Sequence, residues 1–204
     1  MSNTYAYPLG RGLYLNITNR CTFDCVFCVR HYRGDFQGHG LWLEHEPTAA
    51  EVMAQIDEKG GPAAWDEIVF CGFGEPTMAL NVLLEVCHLL KKRGGAPPVR
   101  LNTNGQASLV HGFDVAPRLK GLVDAVSISL NAPTSQEYDA VCQPERPGVG
   151  FQAMLDFAAA CRKEGIPVVM TVVDTIGPEK IAQSRSIAEG LGVGFRVRTY
   201  IEEE

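Results

Sequence analysis

The sequence predicts an α/β fold in the form of an open, partial (β/α)6 barrel, on three observations. Six short β-rich segments alternate with longer helical ones, and crossovers of that length join parallel strands. Four of the six segments read as apolar on one face and polar on the other, whereas a doubly wound sheet, covered on both faces, reads as nearly continuous apolar runs. Six units fall short of the eight that close a full barrel.

The elements follow in chain order. "LYLNIT" (13–18) alternates Leu13, Leu15 and Ile17 with Tyr14, Asn16 and Thr18. A helix is expected after Pro47, then a strand, "EIVFCG" (67–72). Residues 79–93 place Leu80, Leu83, Leu84, Cys87 and Leu90 at helical spacing, with Gly94-Gly95 as the stop. "VRLNTN" (99–104) sets Arg100, Asn102 and Asn104 on one face. "DAVSISL" (124–130) sets Ser127 and Ser129, with Asn131 beyond, opposite Val126, Ile128 and Leu130. A short helix over 134–141 precedes a clearer one over 151–164, carried by Phe151, Met154, Leu155, Ala158 and Cys161. "PVVMTVV" (167–173), a helix opening at Pro178, and "GFRVRTY" (194–200), with Arg196, Arg198 and Tyr200 on one face, complete the chain. The polar faces are expected to point into the barrel, where Arg100, Arg196 and Arg198 need partners such as Glu67, Glu75 or Asp174, because an unpaired buried charge is costly.

The 204 residues suit one domain over 1–204. A formal charge of −6 and a pI near 5.4 argue against a nucleic-acid binder that works through a broad basic surface. "MSNTYAYPLGRG" lacks the basic start and apolar run of a signal peptide, and no stretch approaches the ~18 apolar residues of a membrane helix. A cytoplasmic location is expected, where the seven cysteines stay out of disulfides.

Three of those cysteines stand close together in "CTFDCVFC": Cys21, Cys25 and Cys28, just past the first strand, at the end where β/α barrels place their chemistry. A structural zinc site needs four ligands, with His31 as the available fourth. A dithiol redox pair would use "CVFC" but opens a helix and needs no third cysteine. A [4Fe–4S] cluster on three thiolates would leave one iron open to an exogenous ligand. Cys87 and Cys161 read as core residues and Cys71 as packed, while Cys142, in a loop, is a candidate substrate-side thiol. The long connection 29–47 is expected to be functional, with His31, Tyr32, Arg33, Trp42 and Glu46 shaping a substrate pocket.

"CTFDCVFC", with Phe27 before its last cysteine, resembles the cysteine motif of the radical S-adenosylmethionine (SAM) superfamily. "CGFGEPT" (71–77) resembles that superfamily's Gly-Gly-Glu-Pro motif, with Phe73 between the glycines. "LWLEHEPT", "LNTNG" and "SISLNAP" are similar to the small subgroup associated with TatD-type nucleases. The resemblance implies a TIM-like partial barrel, a [4Fe–4S] cluster on Cys21, Cys25 and Cys28, and SAM as second cofactor. It further implies cleavage of SAM to a 5′-deoxyadenosyl radical that abstracts hydrogen from a substrate, in an oxygen-sensitive, cytoplasmic enzyme. Gly72, Phe73, Gly74, Glu75 and Pro76 would receive the methionine end of SAM through close backbone approach. Phe27 and Tyr200 would reach the adenine, Asn104, Ser129 and Asn131 the ribose and carboxylate, and Arg198 an anionic group. A small-molecule substrate is expected, ahead of a protein partner activated at its backbone or a non-catalytic metal-binding module. The threonine that compact deazapurine synthases place after the motif for magnesium is absent, with Val29 and Arg30 in its stead. An external flavodoxin- or ferredoxin-type electron donor is required, a homodimer would cover the open barrel flank, and neither nucleic acid nor membrane is expected as a partner.

Overall fold

The computed structural model describes residues 3–31 and 34–200, so Tyr32 and Arg33 lie outside the described residues. The chain is α/β with parallel strands, and it divides into two compact units. The first holds the chain up to Cys21, Val29–Asn102 and Arg118–Ala125. The second holds Thr22–Cys28, Thr103–Pro117 and the chain from Val126 onward.

In the first unit, β1 (Ala6–Leu9) pairs antiparallel with β2 (Gly12–Leu15). The sequence reading missed β1, whose Pro8 is tolerated because β1 has β2 as its one neighbour. A two-residue-per-strand hairpin, β3 (Asp35–Phe36) and β4 (His39–Gly40), occupies part of the long connection. α1 (Ala49–Glu58) starts at a capping box of Thr48 and Glu51 and buries Ala49, Val52, Met53 and Ile56, one stripe at helical spacing. β5 (Glu67–Phe70) pairs parallel with β2 and with β6 (Val99–Thr103). Between them runs α2 (Leu80–Arg93), which buries Leu80, Leu83, Val86, Cys87 and Leu90 and packs on α1. The Leu15↔Phe70 register ends β2 and β5 side by side, so the segments that follow them, 16–21 and 71–75, leave the sheet together.

In the second unit, α3 (Ala107–His111) precedes α4 (Ala116–Leu119), which crosses the unit boundary. β7 (Ala125–Ser129), β8 (Val168–Val173) and β9 (Gly194–Arg198) pair in parallel, in that order. α5 (Ser135–Cys142), capped by Thr134, packs on α6 (Gly150–Lys163), and α6 and α7 (Pro178–Gly190) lie on β8. Among the described residues no helix is long and apolar enough to cross a membrane.

The polar faces depart from expectation in two places. Asn16 and Thr18 are as buried as Leu13, Leu15 and Ile17, because residues 41–46 cover them. Arg196 and Arg198 on β9 are exposed rather than turned into a covered interior, and the Phe195 ring lies under the Arg185 guanidinium. Arg100 matches the expected pairing: it donates to both Glu67 oxygens at 2.7 and 3.0 Å and to Asn102 Oδ1 at 2.6 Å.

Candidate cluster and cofactor site

In the first unit the glycine-rich loop is built against the segment that leads into Cys21. Glu75 N–H donates to the Arg20 carbonyl at 2.8 Å. A Cβ on Gly74 would stand 2.2 Å from the Thr18 carbonyl oxygen and 2.8 Å from that of Arg20, and one on Gly72 would stand 2.1 Å from Asn16 Oδ1. The side of each glycine that a Cβ would occupy is filled by the protein's own chain. Phe73 is buried with Tyr7 and Leu41 and meets Trp42 edge-on at 5.3 Å, so it is part of an apolar cluster. Pro76 opens a 3-10 turn, Pro76–Ala79, and Glu75 caps it: Oε1 accepts from Thr77 N–H at 3.1 Å and from the Thr77 hydroxyl at 2.7 Å. Glu75 therefore fixes the loop. Cys71 is half-buried, and its carbonyl accepts from the Tyr7 hydroxyl at 3.1 Å.

The second half of the long connection ties down the same segment. Asn16 donates to the Leu41 carbonyl at 2.8 Å, and Asn19 both donates to the Leu43 carbonyl and accepts from its N–H. Glu46, expected in a substrate pocket, instead takes both prongs of the Arg20 guanidinium, at 2.7 and 2.8 Å, and the Thr18 hydroxyl. Burial pushes the Glu46 carboxyl up, but the hydrogen bonds from Arg20 and Thr18 outweigh it and hold it below the ordinary glutamate range. A group held low in the folded state contributes stability that is full above the unfolded value, about 4.3, and is lost as pH falls through the lower folded one. Glu46→Gln is thus expected to lower stability at pH 7 by about 0.2–1 kcal/mol, the pair being largely exposed. The difference from the wild type should shrink on acidification below pH ~4, read from urea unfolding at both pH values. His31 is exposed, and Trp42 is 47% exposed.

In the second unit the stretch Thr22–Cys28 carries two of the three cysteines. Cys28 N–H donates to the Cys25 carbonyl at 3.0 Å, closing a tight turn over Val26 and Phe27. Cys21, Cys25, Phe27 and Cys28 are all half-buried, and all seven cysteines are thiols. Asn104 is buried and donates to Thr22 Oγ1 at 3.1 Å, while its Oδ1 accepts from Gln106 N–H. Asn104 thus holds the cysteine stretch, a role the sequence did not signal. Residues 141–145, of which the sequence reading put 141 at the end of a helix and Cys142 in a loop, make several backbone bonds to the same stretch. Cys142, a candidate substrate-side thiol from sequence, is wholly buried, and its Sγ accepts from Asn131 Nδ2 at 3.4 Å.

Ser129 is half-buried at the end of β7. Asn131, two residues on, is buried in the left-handed region at φ 58, and its Oδ1 is buried without a hydrogen-bond partner. A buried acceptor left unmet costs about 1–3 kcal/mol, so this position suits a ligand donor. Arg198 lies exposed on β9, and the half-buried Tyr200 donates its N–H to Asp174 at 2.9 Å.

The family description "Radical SAM superfamily" matches residues 15–185, and the chain belongs to that superfamily of enzymes. The expected [4Fe–4S] cluster and SAM are the cofactors of this superfamily, and the expected TIM-like partial barrel is the fold its members share. A "Probable RNA methyltransferase" of Methylibium petroleiphilum is 33% identical over 160 residues, 77% of this chain and 42% of that protein. The "Probable dual-specificity RNA methyltransferase RlmN" of Bifidobacterium longum is 26% identical over 140 residues, 65% of this chain and 35% of that protein. The chain thus spans less than half the length of these relatives. Streptococcus suis SuiB bound to its precursor peptide SuiA superposes with a TM-score of 0.66 over 94% of this chain and 40% of that one, at 17% identity, which shows the shared fold.

The residues present fit the cluster. Three thiols on one stretch of eight residues are the donor set it takes. Among the described residues no three His, Cys, Asp or Glu side chains gather round one ion; a cluster does not require that, because its thiolates bind separate irons.

Proposed function

We propose that this chain is the catalytic core of a radical SAM enzyme acting on a small molecule. The observation that carries the reading is the bond from Glu75 N–H to the carbonyl of Arg20, which seats the glycine-rich loop directly beside the residue preceding Cys21. Cys21, Cys25 and Cys28 hold the cluster, and the backbone of 72–76 takes the methionine end of SAM. Asn131 Oδ1 and Ser129 accept from ribose hydroxyls, Phe27 and Tyr200 flank the adenine, and Arg198 meets an anionic group. When bound, the cofactors supply one-electron cleavage of SAM to methionine and a 5′-deoxyadenosyl radical, which removes a hydrogen atom from the substrate. The chain orients the reactants and excludes water. The electron comes from an external flavodoxin- or ferredoxin-type donor, in the cytoplasm.

Two relatives carry RNA methyltransferase names, so the substrate class needs a direct test. A net charge of −6 opposes a polyanionic substrate and supports the small molecule. The reconstituted protein, with dithionite and SAM under anaerobic conditions, is expected to form 5′-deoxyadenosine, measured by mass spectrometry. An ultrafiltrate of cell extract should raise that rate, and ribonuclease treatment of the extract should leave the rise intact. Loss of the rise to ribonuclease would replace the small molecule by RNA; retention of the activity above the filter, sensitive to protease, would replace it by a protein.

A further inference from the structure

The three thiolates must meet three irons of one rigid cluster, yet they sit on a stretch of eight residues that has no regular secondary structure between Cys21 and Cys28. Ordering such a stretch costs roughly 1–2 kcal/mol per residue. Within the second unit that order is already present. Asp24 N–H donates to the carbonyls of both Cys142 and Gln143, each at 3.2 Å, and Val26 N–H donates to that of Val141 at 3.0 Å. In return, Glu145 N–H donates to the Thr22 carbonyl at 2.9 Å. Phe23 bridges to Pro144 and packs its ring edge-on against Tyr138, 5.7 Å between centroids.

The partner segment is itself held. Cys142 is fixed by Asn131 Nδ2, and Tyr138 by the Gln106 amide at 3.3 Å, which also donates to the Gly150 carbonyl. Gln143, exposed at φ 45, adopts the left-handed conformation, which costs an L-residue about 1–2 kcal/mol. That conformation ends α5, and the Gln143 carbonyl is one of the two that Asp24 N–H meets.

We propose that the C-terminal turn of α5 and residues 141–145 form a clamp that sets where Cys25 and Cys28 stand, so that this segment positions two of the three cluster ligands before the cluster arrives. The proposal rests on the cluster reading above. The clamp acts through backbone N–H groups that substitution at a cysteine does not remove.

The test uses Val26. It occupies the second position of the turn closed by Cys28 N–H, a position that accepts proline, and the residue is 48% exposed. Val26→Pro keeps the turn and deletes the N–H that Val141 accepts; Val26→Ala keeps both. Iron and sulfide per chain after reconstitution and a desalting step, and the electron paramagnetic resonance spectrum of the reduced cluster, are measured for each. Removal of an outer-shell partner typically weakens metal binding by about 10–100-fold. Val26→Pro is therefore expected to retain roughly tenfold less cluster, with an altered spectrum of what remains. Val26→Ala should match the wild type, and circular dichroism should show the same fold in all three. If Val26→Pro does not fold, Pro144→Gly decides, because it loosens the clamp from the other side without touching residues 21–28. Wild-type iron, sulfide and spectrum in the deciding variant overturn the clamp and leave the cluster reading standing. A wild-type chain that takes up no iron and sulfide overturns both.

Discussion

Alanine at Cys25 is expected to abolish 5′-deoxyadenosine formation while the chain stays folded, whereas alanine at Cys87 leaves the activity in place. The two thiols differ in what the protein does with them. Cys87 lies on the inner face of α2, wholly buried, and burial pushes its thiol up to about 12. A cluster takes thiolates, so this sulfur is out of use for iron, and Cys87→Ala trades a small packed side chain for a smaller one. Cys25 is half-buried on a turn whose backbone is bonded to α5 through Val26 N–H and the Val141 carbonyl. Its replacement removes one of the three proposed cluster ligands without removing that backbone bond. The loss should be at least a thousandfold, since the hard chemistry belongs entirely to the cofactor pair and no side chain substitutes for it. Iron analysis and mass spectrometry on the two variants, reconstituted in parallel, check it. Activity retained in Cys25→Ala, or lost equally in Cys87→Ala, would remove the three-cysteine assignment.

The three-cysteine proposal rests on ligand identity and spacing, which are properties of the sequence itself. The helices were legible for a related reason: Leu80, Leu83, Cys87 and Leu90 recur at the period of one helical face, and that face is the one buried. The strands were legible as to place, but what covers them was not. Asn16 and Thr18 look like the polar face of a half-exposed strand, and only the fold shows that the Leu41 carbonyl and Glu46 lie over them. Polar residues met by partners distant in sequence look like polar residues that await a ligand. The same ambiguity hid the tasks of Glu46 and Asn104, whose partners Arg20 and Thr22 are 26 and 82 positions away. Cys142 went the other way: its loop setting suggested access, and the fold buries it under Asn131.

The two glycines of "GFGEP" allow the same distinction to be made by experiment. Alanine at either is expected to destabilise the chain by about 1–3 kcal/mol or more, the usual range for forcing atoms into filled space. The obstacles differ in kind. At Gly74 the new Cβ would meet two backbone carbonyl oxygens, of Thr18 and Arg20, at 2.2 and 2.8 Å, so relief requires the loop and the chain entering Cys21 to move apart. The Glu75-to-Arg20 bond spans that seam, and displacement there should impair SAM cleavage as well as stability. At Gly72 the obstacle is the Asn16 side chain, 2.1 Å away at Oδ1. Asn16→Ala removes Oδ1 and Cγ, at 2.1 and 2.7 Å, and leaves only its own Cβ at 2.9 Å, at the cost of leaving the Leu41 and Thr4 carbonyls without the amide that now donates to them. The Gly72→Ala and Asn16→Ala pair should therefore be less destabilised than the sum of its parts, by about 0.5–3 kcal/mol as for residues in direct contact. Gly74→Ala with Asn16→Ala should simply add. Urea unfolding of the single and double variants measures both cycles. Additivity at Gly72, or relief at Gly74, would mean that the loop yields where the packing says it cannot.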